Sequence, residues 1–172
     1  MTSESKARIL LVDDDPRNLA ALDAVLSDLG ILVAAPSGEA ALRQLLGHEF
    51  AVVLLDARMP GMDGFEVARL IRSRERSRHT PIIFLTGAYE DMSSVFRGYE
   101  AGAVDYIVKP LNTDILRSKL RIFIDLYEKS AGLAREIAER KLIEARLRAS
   151  EGSLRGLTAR LESVLEEERT PI

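Results

Sequence analysis

The chain contains no cysteine, which excludes disulfide bridges and thiolate metal sites. It also has no excess of basic charge. Its 24 Lys and Arg stand against 27 Asp and Glu, a formal net charge of -3, which argues against direct nucleic-acid binding through a cationic surface. No apolar run approaches the roughly 20 residues of a membrane-spanning helix, and the opening MTSESKAR lacks the apolar stretch of a signal peptide. A cytoplasmic protein is expected. His48 and His79, the two histidines, fall in apparent connections without metal-ligand company and are read as surface residues. Proline is missing from one long stretch, between Pro110 and Pro171. What is present, 172 residues of which 47% are hydrophobic and 30% charged, suits one globular domain plus an extension.

Five short apolar runs punctuate the first two thirds: RILLV (8–12), ILVAA (31–35), AVVLL (51–55), PIIFLT (81–86) and VDYIV (104–108). Each is of strand length and mostly continuous rather than alternating, as in a parallel sheet covered on both faces. Helical spacing recurs between them: Leu19, Leu22, Val25, Leu26 and Leu29; Ala40, Ala41, Leu45 and Leu46; Phe65, Val67, Leu70 and Ile71; Val95, Phe96 and Tyr99. Strand and helix alternating in this way predict an α/β fold, a doubly wound five-stranded parallel sheet with right-handed crossovers.

From about Asn112 the texture changes to Leu, Ala, Glu, Arg, Lys and Ile, and a helix capped by Asn112 or Thr113 is expected. Leucines recur every seven residues at Leu126, Leu133, Leu147, Leu154 and Leu161, with Arg140 breaking the series. Leu147, Ser150, Leu154, Leu157, Leu161 and Val164 follow a heptad seam. Unbroken to Arg169, the helix would run roughly 85 Å. Gly152 and Gly156 weaken it by about 1 kcal/mol each relative to alanine. A lone helix with an apolar seam needs a partner.

Ligands of parallel α/β sheets sit beyond the carboxyl ends of the strands. Here the first strand ends in Asp13 and Asp14, the third in Asp56, the fourth in Thr86 and the fifth in Lys109. Clustered carboxylates repel by about 4 kcal/mol per pair at ~4 Å and an effective dielectric near 20. A hard divalent cation relieves that repulsion, and all-oxygen ligands favour Mg2+ over zinc. Lys109 and the Thr86 hydroxyl could each contact a phosphoryl oxygen, with Asp56 as the nucleophile that forms an acyl phosphate. Asp15 before Pro16 is read as a helix cap, and Asp63 likewise. The arginines of RSRERSRH (Arg72, Arg74, Arg76 and Arg78) are read as a solvated helix end favoured by the helix dipole.

The stretches LLVDDDPRN, VVLLDARMPGMDG, IIFLTG and GYEAGAVDYIVKP resemble the receiver domain of bacterial response regulators. The resemblance spans about residues 7 to 127. It implies five parallel strands in the order 2-1-3-4-5, Asp56 as phosphoacceptor, and Mg2+ held by Asp13, Asp14, Asp56 and the backbone carbonyl of Arg58. It further implies that Thr86 and Lys109 bind the phosphoryl group, that Thr86 and Tyr106 form the switch, and that the Lys109–Pro110 peptide is cis. The phosphodonor would be a histidine kinase or a histidine phosphotransfer protein.

Three segments are thus expected: a disordered tail over 1–6, a receiver domain over 7–127 and a helical coiled-coil extension over 128–172. Such a chain would not be an enzyme beyond its own phosphorylation and dephosphorylation. It would relay its state through a parallel homodimer of the C-terminal helix. The final LTARLESVLEEERT resembles the lead-in to a histidine kinase dimerisation helix, so a longer parent kinase is expected. One rival is a phosphatase of the haloacid dehalogenase type using Asp13, with Asp15 completing its motif. Pro16 stands where that motif wants Thr or Val, and Asp56 is left without a role. Another is a stand-alone dimerisation module, against which the intact acidic set argues.

Overall fold

The computed structural model describes residues 6–87, 97 and 99–169. The tail expected over 1–6 falls, apart from Lys6, outside them, as do Val95 and Phe96; Arg97, Tyr99 and Glu100 are helical. Five strands, β1 (Arg8–Val12), β2 (Ile31–Ala35), β3 (Val52–Asp56), β4 (Ile82–Thr86) and β5 (Asp105–Val108), form one sheet in the order β2-β1-β3-β4-β5. Every pairing is parallel. The order reverses direction between β1 and β3, which opens a crevice at their carboxyl ends. The last three strands begin one residue later than the apolar runs suggest. Asp56 is therefore the final residue of β3 itself, in register with Leu85 of β4.

Alternate side chains of the strands feed two cores. Leu10, Val12, Val53, Leu55, Ile82 and Phe84 face one way, against α2 (Gly38–Gly47) and α3 (Gly64–Ser73). Ile9, Leu11, Val52, Leu54, Ile83 and Leu85 face the other, against α1 (Pro16–Leu26) and the beginning of a C-terminal helix, Thr113–Arg169. Burial of the central strands on both faces explains why their sequences read as continuous apolar runs.

Four helices have described starts, and at each a side chain replaces a missing backbone partner. Asp15 accepts from Arg17 N with Pro16 at the first helical position, Ser37 from Ala40 N and Asp63 from Glu66 N. Asn112 caps the C-terminal helix through Ile115 N at 3.0 Å. The early turns of that helix are tied down by ion pairs. Arg117 grips both carboxylate oxygens of Asp28 at 2.6 and 2.7 Å, holding that acid at about 2 against an ordinary 3.8. Lys119 pairs with Asp105.

The structure separates into one compact unit ending at Glu128 and another beginning at Lys129. The second unit is helical through Arg169. Gly152 and Gly156 do not break it, and nothing lies within 4 Å of a Cβ built at either. Among the described residues, no helix is long and apolar enough to cross a membrane.

Of the four arginines at and after the end of α3, Arg76 and Arg78 are exposed as the sequence suggests, but Arg72 and Arg74 are not. Arg72 is half-buried, and its guanidinium gathers three carbonyls. Nε and Nη2 donate to Gly102 O, while Nη1 donates to Arg78 O at 2.9 Å and Thr80 O at 2.7 Å. Arg74 reaches Leu42 O and Arg76 reaches Leu46 O. Gly102, at φ +91, leaves room that a Cβ would take from Arg72 Nε, 2.6 Å away. The planar fork thus ties the connections leading into β4 and β5 to α3. Replacing Arg72 by Leu is expected to cost about 2–4 kcal/mol by stranding these carbonyls, with Arg72→Lys recovering only a minor part; urea unfolding of the three proteins checks this.

Candidate functional site

The crevice between β1 and β3 collects the side chains expected there. Asp13 and Asp14 follow β1, Asp56 and Thr86 end β3 and β4, and Lys109 follows β5. Asp13, Asp56 and Thr86 are buried, Lys109 is half-buried and Asp14 is exposed. One carboxylate oxygen from each of Asp13, Asp14 and Asp56 lies within 4.8 Å of the others, close enough for one cation to touch all three. Hard oxygen donors of this kind suit Mg2+ or Ca2+ rather than a soft metal.

The Lys109 ammonium supplies the local countercharge. Nζ stands 3.3 Å from Asp13 Oδ2 and 3.5 Å from Asp56 Oδ1. The Lys109–Pro110 peptide is cis, and Lys109 N donates to Thr86 O at 2.7 Å. The environment of Asp56 works against its charge. Burial pushes its carboxyl above the usual range, with the Asp13 charge acting in the same direction. Lys109 and the Arg58 N–H, 3.4 Å from Asp56 Oδ1, oppose that shift.

Two further groups hold Asp13. Asp15 N donates to its Oδ1 at 2.8 Å, and Asn18 Nδ2 reaches Oδ1 at 3.2 Å and Oδ2 at 3.0 Å. Asn18 was not among the residues singled out in the sequence. The available signal was Pro16, which fixes the start of α1 and so places Asn18 in its first turn, beside the end of β1. Asp15 itself turns away to Arg17, bonding Nε at 3.0 Å and Nη2 at 2.7 Å, and is held at about 2. Among the described residues, the carboxylates that converge are Asp13, Asp14 and Asp56, whereas Asp15 caps α1 and pairs with Arg17, which counts against the phosphatase rival.

The MPGMDG turn explains itself from the backbone outward. Gly61 takes φ +77, a conformation that side chains disfavour. Asp63 caps α3, and Gly64 N donates to Ala57 O at 3.1 Å. A Cβ on Gly64 would stand 2.2 Å from the carbonyl oxygen of Asp56, so only glycine lets α3 begin against the end of β3. Phe65 follows, packed on Phe84 at 4.9 Å, with the Arg97 guanidinium over its ring at 4.6 Å. Tyr106 is half-buried and meets Tyr99 edge to face at 6.0 Å.

Comparison with known proteins gives a consistent result. The family model for the response regulator receiver domain matches residues 9–121. A probable cyclic di-GMP phosphodiesterase of Vibrio cholerae is 39% identical over 120 residues, 70% of this chain and 27% of that protein. The virulence sensor protein BvgS of Bordetella bronchiseptica is 42% identical over 118 residues, 66% of this chain and 10% of that protein. The chain thus spans only a minor part of either relative. Among solved structures, the receiver domain of a sensor histidine kinase from Pseudomonas aeruginosa, described with a magnesium ion in its active-site cleft, superposes with a TM-score of 0.63. It is 33% identical, and the match covers 69% of this chain and 98% of that one.

The electrostatics of Asp56 have a measurable consequence. A carboxylate with a folded-state pKa above its unfolded value contributes stability below the unfolded value and loses it as pH rises through the folded one. Asp56→Asn in metal-free buffer is therefore expected to raise stability at pH 7 by about 1 kcal/mol, a Tm gain of roughly 2–6 °C. The gain should vanish as pH falls below the ordinary carboxylate range. Thermal unfolding in chelator across that pH range checks both parts.

Proposed function

The chain belongs to the response regulator receiver domain family of two-component signalling, and from that premise we propose that Asp56 is its phosphoacceptor. The observation that carries this reading is the sharing of one Lys109 ammonium between Asp13 and Asp56, at 3.3 and 3.5 Å, in the crevice beyond the strand ends. A phosphohistidine on a histidine kinase or a histidine phosphotransfer protein is the donor. An Asp56 carboxylate oxygen attacks phosphorus, the P–N bond breaks as the O–P bond forms, and the imidazole nitrogen leaves with the electron pair.

Asp13, Asp14 and Asp56, with the carbonyl of Arg58, would hold Mg2+. The ion, when bound, offsets the repulsion between these carboxylates and the incoming phosphoryl oxygens. Lys109 stabilises one phosphoryl oxygen and the Thr86 hydroxyl donates to another. Asn18 positions Asp13 and touches neither reactant. Burial of Asp56 excludes bulk water from the new acyl phosphate. In this reading the chain catalyses only its own phosphorylation and dephosphorylation.

The receiver segment is assigned to 7–127 and the helical extension to 128–172, in a cytoplasmic protein. Thr86 and Tyr106 form the switch: as Thr86 is drawn toward the phosphoryl group, Tyr106 gains room to turn inward. The state is passed on through a parallel homodimer of the C-terminal helix, whose Leu147, Leu154, Leu157 and Leu161 are exposed in the single chain. Burying such a ladder against a second copy is the ordinary use of a heptad seam. A histidine kinase is the output proposed for the longer parent, supported by the relatedness of this chain to a small part of a virulence sensor protein.

Acetyl phosphate with Mg2+ is expected to add one phosphoryl group to the wild-type chain and none to Asp56→Asn, as read by intact mass. Chelation should abolish the wild-type adduct, and equal labelling of both proteins would refute the assignment. Asp13→Asn is expected to slow labelling at least tenfold by removing a proposed ligand of the ion.

A further inference from the structure

The segment 129–169 carries a second pattern beneath its leucine repeat. Take Leu133, Arg140, Leu147, Leu154 and Leu161 as a ladder of every seventh residue. Before Arg140 the companion position lies four residues after the repeat, at Ser130 after Leu126 and at Ile137 after Leu133, with Ile137 the apolar one. The opposite flank there is Lys129 and Glu136. After Arg140 the column changes sides. Ile143, Ser150, Leu157 and Val164, three residues after the ladder, are its companions, and the flank four residues on begins with Glu144 and Glu151.

No single heptad phase serves the whole segment. Continuing the first phase would put Arg140, Glu144 and Glu151 into the seam, and extending the second backwards would put in Lys129, Glu136 and Arg140. Changing phase at Arg140 leaves Arg140 as the one charged residue inside. At 100° per residue, the midline of the apolar stripe swings by about 50° between the two halves. Leu133, Ile137, Ile143, Leu147, Leu154, Leu157, Leu161 and Val164 are all at least half exposed in the single chain.

We infer that residues 129–169 pair with a second copy of the chain through two seams of different phase, joined at Arg140. This deepens, and rests on, the dimer reading above. Charge complementarity selects the second copy as the occupant. In a parallel, in-register pair, the residue before every a-type core position (Ile137 in the first phase, Arg140 and Leu147 in the second) faces the residue five places later on the other helix. The first phase then sets Glu136 against Lys141 of the second copy, and the second phase sets Arg146 against Glu151. Both contacts are attractive, and each arises only in the phase that the apolar column demands; Glu139 against Glu144, at the junction itself, is the one like-charged contact of this kind and weakens the pair there. Arg140 is tolerated because its stem can lie along the seam while its guanidinium leans out toward Glu136 of its own helix, 4.0 Å away.

Spacings of 4, 3, 3 and 4 residues through Leu133, Ile137, Arg140, Ile143 and Leu147 insert three residues into the heptad. Such an insertion overwinds the pair locally. The junction is the layer with the least apolar packing, so a change of twist costs least there.

The absence of native cysteine makes single-cysteine scanning of the full chain direct. Under mild oxidation, Leu133→Cys, Ile137→Cys, Ile143→Cys, Leu147→Cys and Ser150→Cys are expected to crosslink several-fold faster than Glu136→Cys, Glu144→Cys and Glu151→Cys. Rates at Glu144→Cys and Glu151→Cys matching those at Leu147→Cys would overturn the phase change in favour of one continuous first seam. A rate at Glu136→Cys matching Ile137→Cys would overturn it in favour of a continuous second seam. No crosslink at any position, Leu147→Cys and Leu154→Cys included, would overturn the dimer reading itself.

Discussion

Two buried carboxylates sharing one ammonium is the constraint around which the globular unit is organised. Asp13 and Asp56 end neighbouring strands, and their repulsion is met by a lysine that reaches them from the far end of β5. Almost every nearby feature serves to hold that arrangement. The cap at Asp15 fixes α1 so that Asn18 can grip Asp13. The Lys109 amide is anchored to β4, and Gly64 allows α3 to start against the backbone of Asp56. The cluster remains short of positive charge after Lys109 is counted, which is why burial and Asp13 together disfavour ionised Asp56. A site of this kind trades stability for readiness to accept a cation and an electrophile.

The fold was legible because its signals are local and redundant. Five apolar runs of strand length, separated by helical spacing and cap residues, leave few alternatives to a parallel doubly wound sheet. The site residues were legible for a related reason: each is a polar side chain at or just past the carboxyl end of an apolar run, and topology alone carries strand ends together. The strand starts were less sharp. Ala51, Pro81 and Val104 continue the apolar character of β3, β4 and β5, but the parallel ladder begins one residue later in each.

What escaped the sequence reading depends on side chains folding back over distance. Alternating arginines and serines look alike whether they face water or gather carbonyls, and nothing local marks Arg72 as the partner of Gly102, thirty residues away. Asn18 was hidden similarly, since its role comes from where α1 begins relative to β1. In the C-terminal helix the difficulty is reversed. Its apolar ladder is plain in the sequence, yet a single chain gives that ladder nothing to pack on, and every residue from Arg135 to Arg169 is exposed.

The close approach of Gly64 to the end of β3 has a mechanical meaning. With the carbonyl of Asp56 already at contact distance from the α3 backbone, that helix acts as a fixed stop. Interiors packed this tightly resist compression, so a displacement of the Asp56 backbone cannot be absorbed toward α3 without moving the whole helix. β4, fully buried and paired with β3, closes the side toward Thr86 in the same way. Walls on both sides leave the half-exposed flank at Lys109 as the open way out of the carboxylate's position.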